Sequence, residues 1–100
     1  MSAVLTQHAI DRGNERLNIG TSSMAKMAQR ALDSGYRQGD VSGRFKRYLD
    51  GLYFKNRTAN GLRVYGENVY VFSGSTLVTV FPLPHEFRAI VAKLNKRKSL

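Results

Sequence analysis

The spacing of apolar residues predicts two helices in the first third of the chain. Thr6 is a good N-cap for a first helix over residues 7–17. A second helix is indicated by apolar residues that recur at helical spacing, namely Met24, Met27, Ala28, Ala31 and Leu32. We expect Ser22 or Ser23 to cap this second helix, and Gly35 to occupy the C′ position at its end.

From Leu62 onward the apolar pattern changes to a period of two, which is typical of β-strands. The predicted strands cover residues 62–65, 69–72 and 76–81. Short turns that contain glycine separate them, so the strands are expected to form the consecutive hairpins of an antiparallel meander. Pro82 and Pro84 stop the last strand. A final helix then presents one apolar face, made of Phe87, Ile90, Val91 and Leu94.

Residues 36–60 admit two interpretations, because glycines at 39, 43 and 51 interrupt the pattern. Residues 44–54 could form a short helix with Phe45, Leu49 and Leu52 turned inward. They could equally form a strand with a loop, and the sequence leaves this choice open.

These elements predict an α+β fold in a single domain, residues 1–100. The helical part covers about residues 5–55, the antiparallel sheet about 62–82 and the C-terminal helix about 84–97. We expect the N-terminal helices to pack on one face of a three- to four-stranded antiparallel meander sheet. Apolar residues make up 42% of the chain, which is enough to build a core and too many for a disordered chain.

Basic residues greatly outnumber acidic ones. The chain has 16 lysines and arginines against 7 acidic residues, a formal net charge of +9. One cluster, opposed only by Asp50, consists of Arg44, Lys46, Arg47, Lys55, Arg57 and Arg63. A second cluster closes the chain with Lys93, Lys96, Arg97 and Lys98. Such clusters release condensed counterions when they meet phosphates, and they bind nucleic acids strongly at low salt.

The charge therefore predicts a nucleic acid or the ribosome as the partner, with RNA favoured over DNA. An acidic protein partner and a basic surface that only aids solubility remain alternatives. No apolar run approaches the roughly 20 residues that span a bilayer, so no membrane association is expected. The first residues lack a basic flank and a long apolar stretch, which predicts no signal peptide and a cytoplasmic location.

The residue types that many catalytic sites require are missing from this sequence. There is no cysteine, which excludes disulfides, thiol catalysis and thiolate metal ligands. The chain shows no phosphate-binding loop, no dinucleotide fingerprint and no zinc-ligand spacing. With only two histidines, a transition-metal site is not expected. The sequence therefore predicts neither a metal nor a cofactor.

The first candidate for chemistry lies on the first helix. His8, Arg12 and Arg16 are four residues apart, which places them within about 80° of arc. Metal-independent RNA cleavage needs an acid or base that titrates near neutral pH and cations for the charge that builds on phosphorus. From the spacing alone, a solvated helix face in which Arg12 pairs with Glu15 or Asp11 is the simpler interpretation.

The second candidate lies on the predicted strands. Arg63 and Tyr65 are two residues apart and therefore project from the same face of the sheet. If Val78 and Val80 pack in the core, Thr79 can face the same open side as Tyr65. Tyrosine can donate a proton or stack on a base. A solvated outer face of a half-buried sheet explains the same pattern.

His85 is the third candidate, because it follows the last strand and the two prolines. Residues at strand ends are often functional. A histidine near a helix start is more commonly a cap or a surface group.

The order of several short motifs is informative. The chain opens with Leu-Thr-Gln-His-Ala-Ile-Asp-Arg at residues 5–12, and its second helix ends in Leu-Asp-Ser-Gly at 32–35. The predicted strands follow, the last reading Leu-Val-Thr-Val-Phe-Pro-Leu-Pro at 77–84. Over residues 5–84 this resembles a family of small uncharacterised bacterial and phage proteins assigned to the barnase–EndoU–colicin–RelE ribonuclease superfamily. Members begin with a His-Ala-x-x-Arg helix and finish with a Leu-Val-Thr-Val strand.

The resemblance implies helices on one face of an antiparallel sheet and a nucleic-acid cleft on the other. It makes His8, Arg12, Tyr65 and Thr79 the matching functional positions. The chain departs from the family in a longer and more basic segment at 35–61 and in an extra C-terminal helix. Both departures are compatible with a binding protein that has lost catalysis.

Together these observations favour a metal-independent endoribonuclease of toxin type, acting by 2′-OH attack. In this hypothesis His8 is the general base or acid, and Tyr65 and Thr79 position the substrate. Arg12, Arg16 and Arg63 would hold phosphate, joined in nucleic-acid binding by Arg44, Lys46, Arg47, Lys55 and Arg57. An acidic inhibitor or antitoxin would then be a second partner. The alternatives are a non-catalytic nucleic-acid-binding or ribosome-binding protein, and a phage-encoded inhibitor of an acidic host protein.

Overall fold

The computed structural model describes residues 3–55 and 61–98 and has an α+β architecture. Its helices are α1 (Gln7–Leu17), α2 (Thr21–Ser34), α3 (Gly43–Lys55) and α4 (His85–Lys98), with a 3-10 helix at Gln38–Asp40. Its strands are β1 (Val4–Leu5), β2 (Gly61–Tyr65), β3 (Asn68–Ser73) and β4 (Thr76–Pro82). The α+β class is thereby confirmed, and residues 44–54 are helical.

Helix α1 begins where its capping residue predicts. The Thr6 hydroxyl accepts a hydrogen bond from the Ala9 backbone N–H at 3.0 Å, which satisfies one of the free amides of the first turn. The helix ends at Asn18, whose φ of 54° is in the left-handed region that asparagine tolerates. The predicted bounds of 7–17 are confirmed.

Both ends of α2 differ from the expectation. The helix starts at Thr21 with Gly20 as its N-cap, so neither Ser22 nor Ser23 caps it. Gly35 has a φ of −69°, which is extended rather than left-handed. The reason for a glycine is close packing: a Cβ at Gly35 would lie 2.5 Å from the Ala31 carbonyl oxygen and 3.2 Å from that of Val64. The end of α2 therefore presses directly on β2.

The described strands form one sheet in the order β1-β4-β3-β2. The predicted meander is confirmed, because β2 pairs with β3 and β3 with β4 in antiparallel fashion. Strand β1 pairs in parallel with β4 and makes the sheet mixed, which the sequence did not indicate because β1 is only two residues long. An antiparallel bridge between Tyr36 and Val64 extends the outer edge of β2.

Helices cover both faces of the sheet. One face packs against α1 and α2, and its core contains Ala9, Met24, Ala28, Ala31, Tyr70, Phe72, Leu77 and Val80. We call these two helices the α1/α2 layer. The other face packs against α3 and α4, and its core contains Phe45, Leu49, Leu62, Val64, Val69, Val71, Leu83, Phe87 and Val91. We call these the α3/α4 layer. The open face implied by the resemblance is therefore wrong for this structure.

The α3/α4 layer is held by aromatic packing. The rings of Phe45 and Phe87 stack with their centroids 4.8 Å apart and their planes at 6°, and Tyr48 packs at 5.4 Å from Phe87. An ion pair of 2.6 Å joins Arg44 to Glu86 at the start of the two helices. These contacts join the beginnings of α3 and α4 on the same face of the sheet. Ile90, expected on the inner face of α4, is 40% exposed.

Candidate functional site

The spacing correctly predicts that His8 and Arg12 are neighbours on α1. Arg12 donates from Nε to His8 Nε2 at 3.5 Å and from a terminal nitrogen to Glu15 Oε2 at 2.7 Å. His8 is exposed, and Arg12 and Glu15 form a surface ion pair. This arrangement is the solvated helix face, with Arg12 paired to Glu15, that the sequence offered as the simpler interpretation. The three side chains lie in a row on a convex helix surface.

Arg16 is exposed and also makes contacts within the protein. One of its terminal nitrogens donates to the Val80 carbonyl at 3.0 Å, and the guanidinium carbon lies 4.4 Å from the centroid of the Phe81 ring. Beyond the short pairing with β1, this part of β4 is an edge of the sheet, where side chains of α1 and its N-cap donate to the carbonyls of Val78 and Val80. Arg16 therefore donates to a carbonyl at the edge of the sheet, and its role in holding phosphate stays a prediction.

Tyr65 and Thr79 lie on opposite faces of the sheet, contrary to the expectation. Tyr65 is half-buried against the α1/α2 layer, on the same face as the fully buried Val80. Thr79 pairs with Val71, whose side chain packs in the α3/α4 layer, and is only 3% exposed. The prediction failed because it assumed one open face, whereas both faces are covered. A register shift beside Thr79 also leaves Val78 half-buried instead of in the core.

His85 is the first residue of α4 and is exposed. It follows Pro84 and precedes Glu86, the partner of Arg44. No described contact joins it to His8 or to Tyr65. The structure therefore brings together His8 and Arg12, and no described contact joins them to Thr79 or His85.

Charge is distributed unevenly between the two helical layers. Helices α1 and α2 carry four basic residues, Arg12, Arg16, Lys26 and Arg30, and three acidic ones, Asp11, Glu15 and Asp33. Helices α3 and α4 carry nine basic residues, Arg44, Lys46, Arg47, Lys55, Arg88, Lys93, Lys96, Arg97 and Lys98, and two acidic ones, Asp50 and Glu86. The excess of positive charge thus belongs to the α3/α4 layer.

Few of these cations are neutralised within the chain. Arg44 pairs with Glu86, Lys46 with Asp50 at 3.0 Å, and Arg88 with Glu67 at 3.4 Å. Hydrogen bonds from Lys46 and then Gln38 hold the pKa of Asp50 below its usual value. All seven acidic side chains lie in the described residues, and none pairs with the exposed cations Arg47, Lys55, Lys93, Lys96 or Arg97. Arg57 lies outside the described residues.

An exposed aromatic ring lies beside two of these cations, Arg47 and Lys55, on α3. Phe54 is 71% exposed near the end of α3. Helical spacing places it on the same face as Arg47 and Gly51, and it is adjacent to Lys55. The sequence-based prediction missed Phe54. It could have been found from its position out of phase with Phe45, Leu49 and Leu52.

A second feature that the sequence did not indicate is a pocket of about 270 Å³ at the start of β2. Arg37 and Arg63 both line it, together with Gln38 and three glycines, Gly39, Gly61 and Gly74. The bridge from Tyr36 to Val64 brings these distant parts of the chain together. Arg63 thus belongs to a pocket rather than to an open sheet face beside Tyr65.

Within the described residues, no three His, Asp or Glu side chains are grouped so that they could hold a metal ion. In the same part of the chain, no helix has both the length and the apolar character needed to cross a membrane.

Comparison with known proteins adds no relative. No family model matches the chain, and no curated protein or solved structure is significantly similar to it. The resemblance to the ribonuclease superfamily therefore stays a prediction, and function must be argued from the geometry alone.

Proposed function

We propose that this protein binds single-stranded nucleic acid, RNA in particular, through the outer surface of the α3/α4 layer. The observation that carries the proposal is the charge asymmetry between the layers, nine basic and two acidic residues on α3 and α4 against four and three on α1 and α2. An even excess of charge would indicate solubility alone. A one-sided excess creates a positive field on one surface, and a polyanion is its natural partner.

The exposed cations set the expected strength of this interaction. Arg47, Lys55, Lys93, Lys96 and Arg97 need not break an ion pair in order to contact phosphate. Five phosphate contacts to a single strand would give a slope of log K against log salt of about −3.5. Affinity would then fall about 100-fold between about 50 and 200 mM salt.

Phe54 favours a single strand over a duplex. An exposed ring can stack on an unpaired base, and such stacking contributes about 1–3 kcal/mol per base. Bases in a duplex are already stacked on each other and do not offer a free face. The combination of Phe54 with Arg47 and Lys55 on one helix therefore suits an unpaired segment.

The test is fluorescence anisotropy with a labelled single-stranded RNA oligonucleotide, in EDTA, over a range of salt concentrations. We expect the steep salt dependence given above. Phe54→Ala should weaken binding about tenfold or more without changing the salt slope. Val4→Ala, which removes an exposed apolar side chain from β1, outside the α3/α4 layer, is the control and should leave binding unchanged. Affinity that does not vary with salt would reject nucleic-acid binding.

RNA cleavage is a second candidate, and one observation favours it. His8 and Arg12 are in contact on an exposed surface, and they combine an imidazole, which can donate or accept a proton, with a guanidinium cation. In this hypothesis His8 moves a proton at the ribose 2′-OH or at the leaving 5′-oxygen, and Arg12 stabilises the phosphorane. Tyr65 and Thr79 play no direct part, since the structure separates them.

Incubation with total RNA in EDTA, followed by identification of the product ends, tests this second candidate. Cleavage should yield 2′,3′-cyclic phosphates, and His8→Ala should lower the rate by on the order of 10²-fold or more. The substitution should not affect folding, because His8 is exposed. Intact RNA after incubation with clean protein that still binds it would leave the binding function and remove catalysis.

A further inference from the structure

The pocket at the start of β2 brings two arginines together at an antiparallel bridge. Backbone hydrogen bonds of 2.8 and 2.7 Å join Tyr36 and Val64 in both directions. Arg37 follows Tyr36 and Arg63 precedes Val64, so the antiparallel bridge sets the two arginines opposite each other. Like charges directly opposite each other destabilise a strand pair, and an anion bound between them would offset the repulsion.

No acidic side chain of the chain neutralises this pair. All seven belong to the described residues, and none forms an ion pair with Arg37 or Arg63. The nearest, Asp40, accepts a hydrogen bond from the backbone N–H of Arg37 at 2.8 Å. Burial lowers the pKa of Arg63 and the charge of Arg37 lowers it further, while Asp40 acts in the opposite direction. The pocket therefore has a net positive charge.

The walls of the pocket leave room for a ligand. A Cβ at Gly61 would lie 3.3 Å from a terminal nitrogen of Arg63, so the glycine gives the guanidinium its space. A volume of about 270 Å³ corresponds to roughly nine water molecules, more than the five heavy atoms of a phosphate ion occupy. Leu62 and Phe72, which are 2% and 1% exposed, supply an apolar part of the lining.

We propose that the Arg37–Arg63 pocket binds a phosphate monoester. Guanidinium groups bind phosphate oxygens in a bidentate manner, and two of them match the double negative charge of a monoester better than the single charge of an internal phosphodiester. The remaining volume accommodates the group that carries the phosphate. A free nucleotide and the phosphorylated end of a strand share this chemistry. The inference stands on the pocket and does not depend on binding by the α3/α4 layer.

The experiment is an NMR titration of the full chain that follows the backbone amides of Gly39, Gly61 and Gly74, which line the pocket. The probes are inorganic phosphate, AMP, and one short oligonucleotide prepared with a 5′-phosphate and with a 5′-hydroxyl. Phosphate and AMP should shift the three glycine signals. A 5′-phosphate that shifts them when the 5′-hydroxyl strand does not would identify the strand end as a source. Shifts with AMP but with neither strand would identify the free nucleotide.

Substitutions test whether phosphate binding depends on the two arginines of the pocket or only on the positive charge of the whole protein. Arg37→Gln and Arg63→Gln should each weaken phosphate binding about tenfold or more, the effect of losing a charged hydrogen bond. Arg30→Gln makes the same charge change on an exposed part of α2 and should have no effect. If Arg63→Gln does not fold, Arg37→Gln still decides the matter, because Arg37 is exposed. The proposal would be overturned if phosphate and AMP did not shift the glycine signals, or if Arg30→Gln lost as much phosphate affinity as the pocket variants. Either result would count against the pocket regardless of what the α3/α4 layer binds.

Discussion

The two helical layers pack on the same sheet but are built differently. The α1/α2 layer uses small residues, Ala9, Gly13, Ala28 and Ala31, which let the helices approach each other and the sheet closely. The α3/α4 layer uses large rings, with Phe45 stacked on Phe87. Their outer surfaces differ as well, because α1 uses its two arginines in contacts within the protein and α3 and α4 leave five cations unpaired.

This difference separates the positive charge that stabilises the fold from the charge that is free to bind. Arg12 is part of the His-Ala-x-x-Arg motif and Arg16 lies one turn further along α1, yet Arg12 pairs with Glu15 and Arg16 donates to the Val80 carbonyl. The cations of α3 and α4 belong to segments that depart from the family pattern. The segments that fit the resemblance least are therefore those that carry the unpaired positive charge on which the proposed function rests.

The largest expected effect concerns the core of the α1/α2 layer. Val80 is fully buried, and Val78 beside the register shift is only half-buried. Val80→Asp should lower the free energy of unfolding by more than about 3 kcal/mol, because it buries a charge without a partner. Val78→Asp should cost much less in the same urea titration. Similar costs for both would show that the faces of β4 are assigned incorrectly.

Alanine substitution at two glycines, one at the end of α2 and one in α3, should change the stability of the protein in opposite directions. Gly35→Ala should destabilise the protein by about 1–3 kcal/mol, since the added methyl would meet the carbonyl oxygens of Ala31 and Val64. Gly51→Ala should stabilise it by about 0.5–1 kcal/mol, since the site in α3 has no heavy atom within 4 Å of a Cβ. Thermal melts measure both. A stable Gly35→Ala protein would contradict the close approach of α2 to β2.

The smallest expected effect is a pH dependence of stability that arises from Asp50 in the α3/α4 layer. Lys46 and Gln38 donate to Asp50 and hold the pKa of its carboxyl below the unfolded value. The stabilisation is therefore complete above the unfolded pKa of about 3.9 and is lost as the pH falls through the lower folded pKa. Asp50→Asn should remove this part of the acid-induced drop in Tm. An unchanged pH profile in Asp50→Asn would show that the ion pair contributes nothing in solution.

The sequence predicts the local parts of this fold well. Thr6 marks the start of α1, and the change to a period of two marks the three antiparallel strands, because both signals depend on near neighbours. The layering was missed, since Val69 to Phe72 are buried on both sides and show no alternation. Strand β1 is too short to give a pattern, and it exists only because β4 pairs with it.

In the candidate site, too, contacts between near neighbours in sequence were predicted and those that depend on long-range packing were missed. The contact between His8 and Arg12 is a consequence of helical spacing and was predicted. The separation of Tyr65 from Thr79 depends on which helices cover which face, which spacing does not encode. The pairing of Arg37 with Arg63 depends on the bridge between Tyr36 and Val64, two residues far apart in the chain.

The most direct test of the account compares two matched double variants in RNA binding at several salt concentrations. Lys93→Gln with Lys96→Gln removes two cations from the α3/α4 layer, and Lys26→Gln with Arg30→Gln removes two from the α1/α2 layer. The net charge of the two variants is identical. We predict that the first reduces the magnitude of the salt slope by about 1.4 and weakens binding, while the second changes neither. Equal losses in both variants would contradict a binding surface on α3 and α4.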